Sequence, residues 1–471
     1  MSDAALAQLR ALLGPRGVLT AAEDMIGYET GARYDRGHAL AVLRPATTEE
    51  VSQAVAICVR HGLHIIPQGG NTGLVSGATP DASGQQVVLS LQRLTGSFAL
   101  DADNRSVTLG AGHRLSEVNR RLAAEGLSFP IDLGADPAIG GMIATNTGGA
   151  RFLRYGDVRA NVLGLTVVLA DAAGTVLQLG GALYKNNTGV DWRQLFIGTS
   201  GSFGIITEAV LRLHPLPRDQ AAAILVPSSA AAVLPLLRAM EDRLGPELSA
   251  FEGMSGNAMQ AALQHVPGLR TPFAEGLPDY AILAEVSRAR RPRLGEAGAE
   301  DLLQEVLADI IEERPDLLLD ARFGAHDRIW ALRHALSEGV KAMGRLIAFD
   351  LAFRRGDIMR FCEQMKAQMP DRFPGVTICD FGHIGDGGVH FNLVVAADSA
   401  LASDPAQEAA LRDWVFDVTV REFGGSFSAE HAIGRKNQRW HDLYTPDSHR
   451  RLSRALRAAT SPAGLGAVTF G

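Results

Sequence analysis

His383 and His390 bracket Ile384-Gly385-Asp386-Gly387-Gly388-Val389. The central Gly-Asp-Gly-Gly is a turn signal between two apolar, β-rich runs, so the spacing predicts a hairpin. If Ile384 faces Val389 and Gly385 faces Gly388, then His383 faces His390, and the two imidazoles stand as cross-strand neighbours with Cβ atoms ~5 Å apart. Two nitrogens at that separation suit cis positions on one divalent cation. Asn392, two residues beyond His390, projects from the same face. A second constellation is Glu430-His431, set among small residues in Phe427-Ser428-Ala429-Glu430-His431-Ala432-Ile433-Gly434, where an adjacent acid and imidazole have little packing purpose. Taken singly, the hairpin also fits a surface turn with two unrelated histidines, and the Glu-His pair a solvated loop.

Two glycine-rich stretches carry a different chemistry. One is Gln68-Gly69-Gly70-Asn71-Thr72-Gly73-Leu74-Val75-Ser76-Gly77, and the other is Ile139-Gly140-Gly141-Met142-Ile143-Ala144-Thr145-Asn146-Thr147-Gly148-Gly149. A loop that lays backbone N–H groups along phosphate oxygens needs residues free of Cβ and able to take positive φ. Two such loops suggest a pyrophosphate, although either alone fits a tight turn. Gly110-Ala111-Gly112-His113-Arg114-Leu115 has Leu at the third position of the dinucleotide fingerprint, no helix clearly opens there, and it reads as a chance match. No Gly-x4-Gly-Lys-Ser/Thr is present.

The elements that must position these residues follow from periodicity. Ala41 to Pro45 reads as a strand, Thr47-Thr48-Glu49-Glu50 as a helix start, and Val51, Val55, Cys58 and Val59 as its apolar face. His64 to Pro67 then resumes as a strand, completing a β-α-β unit. The first glycine loop lies between that strand and another at Val87 to Leu91, and two more strands are expected near Val162 to Leu169 and Ile205 to Leu213. Pro215-Leu216-Pro217 is the strongest boundary. Beyond it, helices at Ser229 to Arg243, possessing Pro235 as a kink point, and Glu300 to Glu313 accompany strands at Tyr280 to Val286, Ile347 to Phe353 and Val376 to Phe381, an α+β pattern.

The chain has 471 residues, of which 46% are hydrophobic and 21% charged, with 45 Lys and Arg against 52 Asp and Glu for a net charge of −7. Disordered and fibrous classes drop out, and there is no overall basic field for nucleic acid. Cys58, Cys362 and Cys379 are too few and scattered for an iron–sulfur cluster or a disulfide framework, and a reducing compartment fits. The start Met1-Ser2-Asp3-Ala4-Ala5 has neither a basic n-region nor an apolar h-region, and no stretch approaches ~18 uninterrupted apolar residues, so neither export nor a membrane span is expected. On residues alone, a metal hydrolase or lyase with structural glycine loops and a binding protein without turnover remain open.

From about residue 36 to 471 the chain resembles the FAD-linked oxidases of the vanillyl-alcohol-oxidase type. Pro67-Gln68-Gly69-Gly70-Asn71-Thr72-Gly73 resembles that family's pyrophosphate loop, Ile139 to Gly149 its diphosphate and isoalloxazine segment, and Arg154-Tyr155-Gly156, Asn187-Thr188-Gly189 and Gly198 to Thr207 are further matches. The resemblance implies an α+β fold: an FAD-binding domain of two α/β subdomains over 1–217, a substrate (cap) domain with an antiparallel sheet and the metal hairpin over 218–410, and a closing segment over 411–471 that returns to the FAD domain. It implies FAD contacts from Pro67, Gly69, Gly70, Asn71, Thr72, Gly73, Gly77, Gly140, Gly141, Thr145, Asn146, Gly148, Gly149, Gly156 and Ile206. Asn71 and its neighbours offer no nucleophilic ring nitrogen, so FAD is expected to be non-covalent.

The carboxy-terminal half is similar to the D-2-hydroxy acid dehydrogenases of that superfamily, which include D-2-hydroxyglutarate and FAD-linked D-lactate dehydrogenases. The similarity implies a divalent metal, usually zinc, on His383, His390 and Glu430, with His431 as the base that takes the hydroxyl proton while hydride passes to flavin N5. Arg333 and Ser337, four apart in Trp330 to Ser337 and so on one helical face, resemble that group's substrate-anchoring pair, with Asn392 as a further substrate contact. The expected reaction is D-2-hydroxyglutarate to 2-oxoglutarate, with D-lactate, glycolate or another D-2-hydroxy acid as the alternative. Electron-transfer flavoprotein or a quinone is the expected acceptor, a homodimer the expected assembly, and the bacterial cytoplasm, with or without peripheral membrane association, the expected location. The sequence departs from the group at Ala348, where a substrate-contacting Lys usually precedes Phe349-Asp350-Leu351. It departs also at Gly388 in the place of the usual Asn, and at Ala432 in the place of the usual Gly.

Overall fold

Thr47 starts a helix because its Oγ1 accepts from the Glu50 N–H at 3.1 Å, while the Glu50 carboxylate takes the Ala46 N–H at 2.6 Å. The helix runs Thr48–Arg60 and buries Val51, Val55 and Cys58. It joins the strands Ala39–Leu43 and Ile65–Gln68, which flank Gln86–Ser90 in a sheet that Val18–Leu19 extends. Ala39–Leu43, Gln86–Ser90 and Ile65–Gln68 are parallel to one another, the outcome expected of a β-α-β crossover. A second, antiparallel sheet takes the order Phe98–Asp101, Ser106–Gly110, Ile205–Arg212, Val162–Val168, Val176–Gly180. One apolar core, with Leu43, Val55, Ile65, Leu109, Val167 and Ile205 among its members, serves both sheets.

The computed structural model describes residues 2–33 and 36–471; Met1, Tyr34 and Asp35, which fall in the sequence-based 1–217 domain, lie outside the described residues. The chain divides into two compact units. The first is Met1–Gly148, Asp157–Leu216 and Glu430–Gly471; the second is Gly149–Gly156 with Pro217–Ala429. Residues 411–429 cluster with the second unit, to which Ser426 is tied by a bridge to Ala352. Among the described residues no helix is long and apolar enough to cross a membrane.

The second unit is built on one antiparallel sheet in the order Leu318–Phe323, Asp219–Pro227, Tyr280–Arg288, Leu248–Ser255, Phe381–Gly382, Gly388–Val395, Arg345–Ala352, with Val376–Ile378 also paired to Gly388–Val395. The helix His326–Ala342 lies on one face and buries Ile329, Trp330, Leu332 and Leu336 with Met254, Leu283 and Val394 of the sheet. Pro235 does not kink a helix: a 3-10 turn Ala230–Ala232 precedes the helix Val233–Leu244, so Pro235 falls in its first turn, where the missing N–H is harmless. A helix, Leu115–Ala123, does open after Gly110-Ala111-Gly112, contrary to the sequence reading. Its glycines serve packing instead of phosphate, since a Cβ at Gly110 would lie 2.1 Å from the Leu94 carbonyl oxygen and one at Gly112 2.3 Å from that of Leu91.

Candidate active site

The hairpin forms, but its register differs from the sequence reading. Phe381, not His383, stands opposite His390. Asp386, Gly387 and Gly388 all donate their N–H to the His383 carbonyl, at 3.1, 3.2 and 3.0 Å, and the Asp386 carboxylate takes the Gly388 N–H at 3.0 Å, so the chain turns through a wider loop. Gly387 has φ 101°, and a Cβ there would meet the Phe353 carbonyl oxygen at 2.3 Å, so Gly is required. The shift is two residues, which preserves the face: His383 and His390 become diagonal neighbours with ring centroids 5.2 Å apart. His383 also continues the register in which Gly253 pairs with Gly382 and Met254 with Phe381, which sets it beside Glu252 of Leu248–Ser255. Its Nδ1 lies 2.8 Å from Glu252 Oε1.

Asp350 stands opposite His390 in the pairing of Arg345–Ala352 with Gly388–Val395, with Nδ1 to Oδ1 at 3.7 Å. The same carboxylate accepts from the Ala429 N–H at 3.0 Å, and the Asp350 carbonyl takes that N–H at 3.2 Å. Glu430 and His431 follow Ala429 directly in the chain. Asp350, His390, Glu430 and His431 each offer one ligand atom, all within 4.8 Å of one another. Two imidazoles and two carboxylates are a donor set that suits a zinc-type cation. Asp350 was visible in the sequence only as part of the Phe-Asp-Leu motif, and what marks it out is its strand register against His390. Ala432, one residue on, has φ 60°, a left-handed conformation that Gly adopts more readily than Ala.

Arg333 is buried, with Nε 2.9 Å and Nη2 2.7 Å from Glu252 Oε2 and its guanidinium carbon 5.1 Å from the Phe381 ring centroid. Burial alone would raise the Glu252 carboxyl, but His383 and the Arg333 guanidinium beside it hold it below its ordinary range. Ser337, one turn on from Arg333, is exposed. Asn392 is buried opposite Ala348 and donates to the His390 carbonyl at 3.2 Å. Behind these lies Glu285, fully buried, which accepts from Arg151 Nε (2.9 Å) and Nη2 (2.8 Å), His326 Nε2 (2.8 Å), Trp330 Nε1 (2.8 Å) and Ser249 Oγ (2.5 Å). Sequence reading missed Glu252 and Glu285 because each acid sits in an apolar strand, with its cationic partner far along the chain.

In the first unit the two glycine stretches meet: a Cβ on Gly69 would lie 3.4 Å from Gly141 N, and one on Gly70 3.0 Å from Ala138 N. Pro67 ends the strand Ile65–Gln68, and the buried Gln68 closes the first loop by donating to the carbonyls of Tyr28 (2.8 Å) and Ala78 (2.7 Å). Asn71 takes φ 54° and donates to the Gly27 and Thr30 carbonyls at 3.1 and 2.8 Å. Thr72 is half-buried, while Gly73 and Gly141 face open space, and the buried Ser76 hydroxyl has no hydrogen-bond partner. This cradle fits a diphosphate. A Cβ on Gly77 would lie 3.4 Å from the Ile433 carbonyl oxygen, and Gly434 is pressed against Val75, so the segment that follows His431 lies on the first glycine loop.

In the second stretch Ile139–Thr145 is a short helix, tight at Gly140, where a Cβ would meet that of Ala111 at 2.7 Å. Thr145 Oγ1 donates to the Gly141 carbonyl at 3.0 Å, and Asn146 ends the helix at φ 51° with Nδ2 on Asp157 at 2.8 Å. Gly148 closes one segment of the first unit; Gly149 and Gly156 bound the short segment that belongs to the second. Ile206 is buried in the antiparallel sheet.

Residues 39–180 match the FAD binding domain, and residues 216–466 match the C-terminal domain of FAD linked oxidases. The chain is 34% identical over 440 residues to a mitochondrial D-2-hydroxyglutarate dehydrogenase of Rattus norvegicus, covering 91% of this chain and 77% of the relative. It is 30% identical over 476 residues to a D-2-hydroxyglutarate dehydrogenase of Stutzerimonas stutzeri, covering 99% and 98%. Its fold is similar to that of 4-ethylphenol oxidase from Gulosibacter chungangensis, with a TM-score of 0.73 at 18% identity over 98% of this chain and 95% of that one.

Proposed function

The chain belongs to the FAD-linked oxidases and is an FAD-linked D-2-hydroxy acid dehydrogenase; from that premise we propose that it oxidises D-2-hydroxyglutarate to 2-oxoglutarate with the help of a divalent cation, zinc by donor type. The observation that carries this reading is the convergence of Asp350, His390, Glu430 and His431 within 4.8 Å. Within that group His390 and Glu430 would hold the cation and Asp350 steadies His390 from across the strand pair; His383, outside the group but the diagonal neighbour of His390, would be the third ligand. A bound cation of this kind supplies Lewis-acid polarisation of the 2-hydroxyl, and bound FAD supplies a hydride acceptor.

His431 takes the hydroxyl proton, a task for which an imidazole is matched near neutral pH. Arg333, through the N–H groups of Nη1 that Glu252 does not use, meets the distal carboxylate, with Ser337 beside it, and Asn392 orients the C1 end. Pro67, Gly69, Gly70, Asn71, Thr72, Gly73, Gly77, Gly140, Gly141, Thr145, Asn146, Gly148, Gly149, Gly156 and Ile206 hold non-covalent FAD, and the electrons leave to an electron-transfer flavoprotein or a quinone.

Ala348 favours a second reading. It occupies the position opposite Asn392 where a Lys would supply a second cation, so a monocarboxylate such as D-lactate or glycolate competes. A dye-reduction panel of D- and L-2-hydroxy acids separates the two. The proposal expects D-2-hydroxyglutarate to have the highest kcat/KM and both L enantiomers to be inert; D-lactate leading by tenfold or more would replace the substrate assignment.

A further inference from the structure

Glu252 is an acid that nothing above assigns to catalysis, yet it joins two groups with different tasks. Its Oε1 lies 2.8 Å from His383 Nδ1, and its Oε2 takes Arg333 Nε at 2.9 Å and Nη2 at 2.7 Å. The carboxylate is 1% exposed, so neither contact is shared with solvent. Two strands and one helix fix this arrangement. The pairs Gly253 with Gly382 and Met254 with Phe381 set His383 beside Glu252, while Arg333 comes from His326–Ala342 and rests against Phe381.

A carboxylate oxygen can only accept, so the proton of a neutral His383 ring sits on Nδ1 and Nε2 is the lone-pair nitrogen. An imidazole that serves a metal needs its other nitrogen tied to an acceptor, which sets both tautomer and ring angle. The same carboxylate holds one edge of a planar guanidinium and thereby aims the other edge.

We propose that Glu252 is a positioning residue that locks the ligand tautomer of His383 and the orientation of Arg333 together, so that cation affinity and recognition of the distal carboxylate are coupled through one buried side chain. The inference rests on the reading of His383 as a metal ligand and Arg333 as a substrate anchor. Gln in place of Glu252 keeps the volume but offers one acceptor oxygen and one N–H2 group, so it can satisfy His383 or Arg333 but not both as they stand.

The test uses the purified FAD-loaded enzyme: Zn2+ affinity is read on metal-stripped protein by competition against a chromophoric chelator, and KM on D-2-hydroxyglutarate and D-lactate is read after saturation with Zn2+. Glu252→Gln is expected to weaken Zn2+ binding by about 10- to 100-fold and to raise KM for D-2-hydroxyglutarate more than for D-lactate. Glu252→Asp, which keeps the charge but withdraws it from at least one partner, is expected to fall between Gln and wild type, and it carries the test if the Gln variant does not fold. His383→Ala separates the two levels. If it binds Zn2+ as tightly as wild type, the reading of His383 as a metal ligand fails, and the role of Glu252 in cation affinity fails with it. If it loses Zn2+ while Glu252→Gln and Glu252→Asp match wild type in affinity and in the KM ratio, the metal reading stands and the role of Glu252 is overturned.

Discussion

Replacement of Glu285 by Gln is a measurable perturbation of the second unit. All four partners of this carboxylate, Arg151, His326, Trp330 and Ser249, reach it as donors, and it is fully buried. The amide N–H2 of a Gln would face donors, and the charges of Arg151 and His326 would lose their counter-ion. Breaking a buried pair from one side costs about 3–5 kcal/mol. The acid's own ionisation gives a similar figure: burial would raise it, but the hydrogen bonds from His326 and Arg151 bring it from 4.5 to about 2, a difference worth about 3 kcal/mol.

Because the folded-state pKa is depressed, this stabilisation is present above pH 4.5 and is lost as pH falls toward 2. His326 has the opposite sign. Glu285 raises its pKa, so its share is complete below its ordinary 6.5 and fades as pH rises through the folded value. The assay is hydrogen exchange by mass spectrometry on the strand Tyr280–Arg288, which carries Glu285. At pH 6 the variant should exchange about two orders of magnitude faster, and roughly half or more of the gap should close by pH 3. Equal exchange at pH 6, or a gap that persists unchanged to pH 3, refutes the reasoning.

Three further outcomes follow from the site. Ala348→Lys places a cation opposite Asn392, and one charge-assisted hydrogen bond of ~1.5–3 kcal/mol should raise kcat/KM for D-2-hydroxyglutarate relative to D-lactate by about 10- to 100-fold; an unchanged ratio in steady-state assays counts against a distal carboxylate near Ala348. Gly434→Ala would set a Cβ 1.9 Å from the Val75 carbonyl oxygen, so the first glycine loop must shift and FAD content after gel filtration should fall well below wild type. Acid or heat precipitation should release FAD intact into the supernatant, and colour retained on the washed pellet would contradict non-covalent binding.

The β-α-β unit was legible because its cap and apolar periodicity are local, and Thr47 and Glu50 make the bonds that their spacing announces. The hairpin was legible as a hairpin but not in register. The turn is widened by three amides on one carbonyl, that of His383, a contact that no dipeptide signal encodes. The face survived because a two-residue shift preserves the strand alternation. Glu252 and Arg333 are 81 residues apart, and Arg151 and Glu285 are 134 apart, so pairing in the buried interior was out of reach of any spacing argument. Arg333 itself was legible as a chemistry-bearing residue, while its burial and its engagement with Glu252 depend on the sheet beneath its helix. Ala432 was visible as a departure from Gly, while its positive φ emerges only from the structure.

The central claim is that a cation held around His390 and Glu430 acts with His431 in the oxidation of a D-2-hydroxy acid by flavin. The most direct measurement is anaerobic single-turnover flavin reduction by D-2-hydroxyglutarate, followed at the flavin absorbance band for the enzyme as purified, after chelation, after chelation and Zn2+ return, and for His390→Ala. The account predicts stoichiometric bleaching in the first sample, a rate reduced by at least about 100-fold after chelation with FAD content unchanged, recovery on Zn2+ return, and no recovery in His390→Ala. Full-rate bleaching in demonstrably metal-free enzyme, or in His390→Ala, would contradict it.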